Sequence, residues 1–528
     1  MVGRHRTLVS MVPLAILVAY PIWGLTTAVL NRPADPITGV VPSLESLVTG
    51  AQVWSLLGRS ILLAICVAIG SVLCGGWLAW VEHRTRVPRW WSLLTLLPLA
   101  MPSYLVAATA RSALSPGGWI GDALGTPHTT GFGIAVAVLV AITAPLSQLI
   151  IGAALNRCSA VEEEAAMTLG ASPAKVFKDV TLPRLRPAIG FSALIALLYA
   201  ISDFGAVAVL DVPVLTWRLY LAVESQNVAK AAVLGAATLV AILPVFLAAR
   251  WIRSVKMTNG AANRRHVKRG RLQPLQRILT FGVVFGIIGL GAFIPTVTLC
   301  LWVADGLSRS LSFVSPWSAL GDTVIAALVG ALITVALAWL PAMIVTHRQR
   351  NKQAVGWIED CVYVTSALPG VLLALGLMLA TLVLTKHLPP GAYGAILGSG
   401  FLLMLGYATR FVAEVFAPVR DALASVDVRQ VNSARVLGAK SFRRFKTVIL
   451  PSAAPGIAAA FVIGFNAIVK ELPVTLLLGG ATGLNTLSFR VWDRYSESLW
   501  HDAGLAGLLL VALALASAVL TMRWRQHD

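Results

Sequence analysis

The sequence predicts an all-α polytopic membrane protein with about twelve transmembrane helices. Of its 528 residues, 57% are hydrophobic and only 12% are charged, whereas roughly a quarter of an ordinary soluble domain is charged. The mean hydropathy is +0.80. Nearly uncharged runs long enough to cross about 30 Å of hydrocarbon recur along the chain. We therefore expect one membrane domain rather than several soluble ones.

Twelve apolar runs are predicted to be transmembrane helices. The first follows Arg4 and Arg6. It is longer than the hydrophobic part of a secretory signal and has no convincing small-x-small cleavage site, so we expect it to be retained. The predicted spans lie near residues 8–30, 57–81, 91–110, 131–153, 187–210, 231–249, 278–303, 323–346, 361–385, 393–416, 455–479 and 503–522.

The basic residues indicate the orientation of these spans. Lys and Arg number 42 against 23 acidic residues, and 31 of the 42 fall in alternate loops and at the two termini. Because Lys and Arg are retained on the cytoplasmic side of a membrane, both termini are predicted to be cytoplasmic. Basic residues spread over short loops also argue against nucleic-acid binding, which needs a concentrated basic surface.

The two halves of the chain repeat each other. One constant offset, which takes Gly170 to Gly438, superimposes the first six predicted spans on the second six. Each half crosses the membrane an even number of times, so the repeats are parallel rather than inverted. We predict a first transmembrane half at 1–255, a basic cytoplasmic linker at 256–275 and a second half at 276–528.

The loop between the fourth and fifth spans carries the clearest local signals. Ser159 and Glu162 form a capping-box pattern that predicts the start of a short helix. Gly170 suits a left-handed residue that ends it. Ser172 and Pro173 then predict a second short helix, which we expect to stop at Pro183 before the next span.

The second half repeats this plan with different polar residues. Asp427 replaces the capping Ser159, and Gly438 and Pro451 have the same separation in the sequence as Gly170 and Pro183. A spacing kept in two diverged copies indicates that the turn has a function. A pair of rigid cytoplasmic helices related by a pseudo-twofold axis suits contact with a twofold partner.

The segment Glu164-Ala165-Ala166 with Gly170 and Pro183 resembles the EAA motif of bacterial permeases of type I ABC importers. The resemblance implies the ABC transmembrane type-1 fold in the bacterial inner membrane, and a loop that docks on a cytoplasmic ATPase. It also implies three kinds of partner: two ATPase copies that bind ATP and Mg²⁺, an extracytoplasmic substrate-binding protein and the lipids of the membrane. The implied coupling residues are Glu164, Ala165, Ala166, Gly170, Pro183, Ala434, Gly438 and Pro451.

The two loops differ in composition. The second reads Asn432-Ser433-Ala434 where the first reads Glu-Ala-Ala, so a salt bridge from that glutamate is not expected there. Residues 159–186 carry four acidic and four basic side chains, whereas residues 427–454 carry one acidic and six basic ones. The basic charges of the second loop either face lipid and solvent or make the two docking energies unequal.

Motifs for enzymatic chemistry are absent from the sequence. There is no GxxxxGK[ST] phosphate loop, so ATP hydrolysis is expected on a partner subunit rather than on this chain. HExxH and GxSxG motifs are also missing. The five cysteines form no CxxC pair, and the eight histidines are dispersed. We therefore expect no cofactor and no metal site on this chain.

Ionisable residues inside the predicted spans are candidates for the translocation path. Asp203 lies in the fifth span, and Glu471, preceded by Lys470, is its counterpart in the second repeat. These acids either face a shared central pathway or serve a structural role at a helix end, with Lys470 neutralising Glu471.

Three stretches, at 202–210, 470–478 and 486–492, resemble the fused two-half permeases of ferric-iron importers. The resemblance covers roughly residues 10–525 and implies that ferric iron is the substrate. Thiamine, polyamine and phosphonate importers have related permeases and remain alternatives. An ion-coupled secondary transporter is a further alternative, which the scarcity of acidic residues in the spans disfavours. A lipid-modifying membrane enzyme would need a polar catalytic cluster, and the sequence shows none.

Overall fold

The computed structural model describes residues 4–31, 43–125, 130–158, 160–254, 270 and 272–525. Within these ranges nine helices are long and apolar enough to span a membrane, and two bent helix pairs raise the number to eleven. The shorter apolar segment Ala15–Leu30 lies at the predicted first span, so helix occurs at all twelve predicted positions. Ser159 and most of the predicted linker lie outside the described residues.

Helices account for nearly all of the regular structure that the described residues form. The first part of the chain contains α1 (Arg4–Leu30), α2 (Leu44–Gly50), α3 (Val53–Arg84), α4 (Arg89–Leu96), α5 (Ser103–Leu114), α6 (Gly121–Leu124), α7 (Phe132–Leu155), α8 (Ala160–Thr168), α9 (Pro173–Val176), α10 (Leu182–Ser202), α11 (Gly205–Val209), α12 (Leu215–Glu224) and α13 (Val228–Ser254). The second part contains α14 (Pro274–Ile288), α15 (Ile294–Ser308), α16 (Trp317–Arg350), α17 (Gly356–Ala367), α18 (Gly370–Thr385), α19 (Ala392–Gly398), α20 (Phe401–Ser425), α21 (Val428–Val436), α22 (Ser441–Arg444), α23 (Leu450–Val469), α24 (Pro473–Leu478), α25 (Leu487–Ser496) and α26 (Trp500–Arg525).

The third span of each half is bent rather than straight. Leu93–Ala100 meets α5 at 99°, and α17 meets α18 at 97°. Pro102 and Pro369 stand at the two bends, and the residue before each proline is extended, with ψ of 133° and 123°. A proline ring disfavours helical backbone at the preceding residue, so the same local cause bends both repeats.

The fifth span of each half is displaced from its prediction. One continuous helix runs over Pro173–Ser202 and its repeat over Ser441–Val469, whereas we predicted spans at 187–210 and 455–479. The predicted stop at Pro183 is also wrong. Π-helical turns at Phe177–Thr181 and Phe445–Ile449 precede Pro183 and Pro451. The wider turn accommodates a proline that lacks an N–H and would crowd the preceding turn of a regular α-helix.

The chain forms two compact units, each of which includes the first long helix of the opposite repeat. One unit comprises residues 1–47, 219–236 and 302–528, and the other comprises 48–218 and 237–301. In the first unit α1 packs on α18, where a Cβ added to Gly24 would lie 2.4 Å from the Gly376 carbonyl oxygen. In the second unit α14 packs on α3, and the Trp77 indole donates to Thr280 Oγ1 at 3.1 Å.

Candidate functional site: two helical loops

The first loop folds into the helix, turn and helix that the sequence predicts. Gly170 has φ +85°, and the backbone N–H of Ala171 donates to the carbonyl of Ala166 at 3.0 Å. This is the 6→1 bond of a Schellman turn, which needs a left-handed residue at its centre. Ser172 Oγ accepts the N–H of Lys175 at 3.4 Å and so caps the second helix.

A buried ion pair ties this loop to the end of α3, and sequence reasoning missed it. Glu163 is only 7% exposed. Its two carboxylate oxygens accept from Arg84 Nη1 and Nη2 at 2.7 and 2.5 Å, and Thr181 Oγ1 donates to the same carboxylate at 2.8 Å. Arg84 also lies over the Trp80 ring, 5.1 Å from its centroid. The pair therefore joins α8, α3 and the π-helical turn.

The second loop repeats the backbone but not the ion pair. Asp427 Oδ1 accepts the N–H of Arg429 at 2.8 Å, Gly438 has φ +80°, and Ala439 donates to the Ala434 carbonyl at 3.0 Å. Val431 and Ile449 occupy the positions that correspond to Glu163 and Thr181 in the first repeat, and both pack against a core of buried apolar side chains. Apolar packing replaces the polar contact in this half.

The predicted coupling residues are largely accessible. Glu164, Ala165, Gly170, Gly438 and Pro451 are exposed, whereas Ala166, Pro183 and Ala434 are half-buried. A concavity of about 310 Å³ beside the first turn is lined by residues that include Ala166, Gly170 and Lys175. The loop surface is thus free to contact another molecule, whereas the neighbouring Glu163 faces inward.

Asp203 and Glu471 serve the same local role in the two halves. Asp203 Oδ2 accepts the N–H of Ala206 at 2.9 Å, and Glu471 Oε1 accepts the N–H of Val474 at 3.2 Å. Each acid lies one residue before the N-cap and accepts a backbone N–H in the first turn of the short helix, α11 or α24, that follows the fifth span. Both acids lie at the start of a short helix, and their role in the translocation path stays a prediction.

Lys470 interacts with a carboxylate that sequence reasoning overlooked. The charges of Lys470 and Arg410 both act on Glu414, which lies within α20. Arg410 Nη1 also donates to the Ser366 carbonyl at 2.9 Å. Glu414 could have been found from the sequence, because ionisable residues within a span are candidates by default.

In the described part of the chain, no group of three or more His, Cys, Asp or Glu side chains could hold a metal ion.

The membrane-spanning helices and the paired loops of the two repeats are typical of a transport subunit of the membrane. Residues 71–255 and 334–527 each match the family described as "Binding-protein-dependent transport system inner membrane component". The chain belongs to this family of ABC importer permeases. The two matches correspond to the two sequence repeats, and each begins after the first long helix of its half.

The ferric transport permeases among the relatives match almost the whole chain. It is 28% identical over 511 residues to the Fe(3+)-transport system permease protein FbpB 2 of Haemophilus influenzae, covering 94% of this chain and 95% of the relative. It is 25% identical over 509 residues to the ferric transport system permease protein FbpB of Actinobacillus pleuropneumoniae, covering 89% and 71%. The sulfate transport system permease protein CysT of Salmonella typhimurium is 29% identical over 185 residues, covering 33% of this chain and 67% of the relative.

Proposed function

We propose that this chain is the single-chain permease of an ATP-driven importer of ferric iron. The observation that carries the substrate is the similarity to an Fe(3+)-transport permease along 94% of this chain and 95% of that relative. The match to the sulfate permease covers 33% of this chain and 67% of that relative. Family membership supports ATP-driven import over the alternative of an ion-coupled secondary transporter.

The two exposed loops are proposed to dock on two copies of a cytoplasmic ATPase, which bind ATP and Mg²⁺. Closure of the ATPases would move both loops together, and the continuous helices Pro173–Ser202 and Ser441–Val469 would carry this motion into the membrane. An extracytoplasmic binding protein would deliver iron to the outward-facing state. With both loops on the cytoplasmic side, both termini would also be cytoplasmic, and the distribution of basic residues supports this orientation.

Uptake measurements test this proposal. Cells with and without the gene are compared for uptake of radiolabelled ferric iron, with labelled thiamine, putrescine and a phosphonate measured in parallel. We expect only iron uptake to depend on the gene and on an ATPase subunit. Gene-dependent uptake of another label with unchanged iron uptake would refute iron as the substrate and leave the importer class intact. Gene-dependent iron uptake that needs no ATPase would refute the coupling.

A further inference from the structure

We propose that both loops bind their partner through one shared recognition face and that the partner's groove combines an apolar pocket with acidic side chains. The recognition face consists of an exposed leucine and two basic residues on the following helix. In the first loop it comprises Leu169, Lys175 and Lys178, and in the second it comprises Leu437, Arg443 and Lys446. This inference rests on the proposed function, because it describes how the ATPase subunits recognise the permease.

The leucine is the apolar part of the face. Leu169 and Leu437 each precede the left-handed glycine of their turn, and their side chains are 88% and 86% exposed. A large apolar side chain projecting from a rigid turn gains free energy when a partner removes it from water. Phe442, which is 76% exposed, is not shared, because it corresponds to Ala174 in the first loop.

The basic residues are the polar part of the face. Lys175 corresponds to Arg443 and Lys178 to Lys446, and all four side chains are exposed. The two positions are three residues apart, so they lie on the same side of their helix. These cations persist in the first loop even though its acidic and basic residues balance.

The remaining cations of the second loop have no basic counterpart. Arg429, Arg435, Lys440 and Arg444 correspond to Val161, Met167, Ser172 and Val176. If identical ATPase subunits bind both loops, the contacts that are common to both loops must come from the shared positions. Acidic side chains around an apolar pocket complement a leucine flanked by two cations. A phospholipid surface, in contrast, would attract shared and unshared cations alike.

The test compares two variants of the second loop, each of which loses two positive charges. The full permease is placed in lipid nanodiscs, and the ATPase subunit that cells need for iron uptake is titrated onto it at low and high ionic strength. Arg443→Gln/Lys446→Gln removes the shared pair, and Arg429→Gln/Arg435→Gln is the matched control. A Leu169→Ala/Leu437→Ala variant removes both leucines. All these side chains are exposed, so the membrane abundance of each variant is expected to match that of the native chain.

We expect the shared-pair variant to weaken ATPase binding about five- to tenfold and to reduce its salt dependence. The leucine variant should weaken binding about ten- to a hundredfold without changing the salt dependence. The control should bind within about twofold of the native chain. Equal losses in the control and shared-pair variants, or native binding by the shared-pair or leucine variant, would overturn the recognition face alone. Failure of the native permease to bind any ATPase would overturn both this inference and the proposed function.

Discussion

Glu163 and Glu164 are neighbours in the chain, but their side chains have opposite surroundings. Glu164 is exposed, whereas Glu163 is buried against Arg84 and Thr181. A buried ion pair is no proof of extra stability, because desolvation offsets much of the attraction. Breaking one partner is nevertheless costly, since it leaves the other charge buried and unpaired. Glu163 is therefore a positioning residue for the first loop.

Replacing Glu163 with glutamine is predicted to loosen the first loop. Removing one member of a buried ion pair costs about 3–5 kcal/mol. Cys158 lies just before α8, and burial, followed by the Glu163 charge, raises the pKa of its thiol and so lowers the amount of reactive thiolate. Replacing Glu163 removes that charge, and loosening of the loop would remove the burial. In a chain whose other cysteines are replaced, Glu163→Gln should speed alkylation of Cys158.

The control replaces the whole polar set with apolar side chains and takes valine and isoleucine from the positions of the second loop that correspond to Glu163 and Thr181. An Arg84→Met/Glu163→Val/Thr181→Ile variant removes both charges at once and should keep Cys158 slow to react, because no buried charge is left unpaired. Equal alkylation rates in the single variant and the native chain would show that the ion pair does not position the loop.

Asp203 and Glu471 give a second prediction at the residue scale. If they act as helix caps, Asp203→Asn and Glu471→Gln should retain iron uptake, since an amide oxygen still accepts the backbone N–H. Asp203→Ala should destabilise the chain by about 1 kcal/mol, because it removes the cap. Uptake and thermal stability of the purified chain are measured together. Loss of uptake in the amide variants with unchanged stability would instead assign a translocation role to the charges.

At the scale of elements, each loop combines a left-handed glycine with a π-helical turn before the proline. The sequence predicts the turn, because Gly170 and Gly438 recur at the same distance from Pro183 and Pro451. It does not predict the π-helical turn, which lets one helix continue past the proline into the membrane. Local rules treat proline as a stop, whereas the packed helix accommodates it by widening one turn.

Valine at Gly170 and Gly438 is predicted to uncouple iron uptake from ATP hydrolysis. A Cβ at either position meets no atom within 4 Å, so the cost comes from the left-handed backbone rather than from crowding. A β-branched residue is strongly disfavoured there, by roughly 1–2 kcal/mol or more per site. Iron transported per ATP hydrolysed should therefore fall in reconstituted vesicles.

Asparagine is the matched replacement, because it tolerates left-handed backbone better than other residues with a side chain. Gly170→Asn/Gly438→Asn should keep most of the coupling that the valine variant loses. Equal coupling in the valine, asparagine and native chains would show that the left-handed turn is not needed for transmission.

At the scale of the whole molecule, the two compact units do not follow the order of the chain. The unit built mainly from the second repeat includes α1, and the other unit includes α14 and most of α15. In the first of these units α1 packs on α18, and Tyr20 of α1 shares a hydrogen bond of 3.0 Å with Thr381 of α18. Close approach of small residues and buried hydrogen bonds stabilise helix pairs in a membrane.

Separating the two repeats is predicted to leave each incomplete. We propose that 1–255 and 276–528 are the two transmembrane halves and that 256–275 joins them. Each half expressed alone should be degraded, because its first helix lacks the helices on which it packs. Co-expression of both halves should restore membrane abundance and part of the iron uptake, as measured by immunoblot and radiolabel. Stable accumulation of a lone half would contradict this dependence.

Properties that depend on local pattern and periodicity could be predicted from the sequence alone. Apolar run length set the membrane class, the internal repeat paired the two loops, and glycine placed the left-handed turns. Tertiary structure decided which of three consecutive glutamates is buried, what Lys470 interacts with and which unit holds α1. These depend on packing between segments far apart in the chain, here Glu163 with Arg84 and α1 with α18. Hydrophobic periodicity shows that a helix has a buried face but not which distant helix covers it.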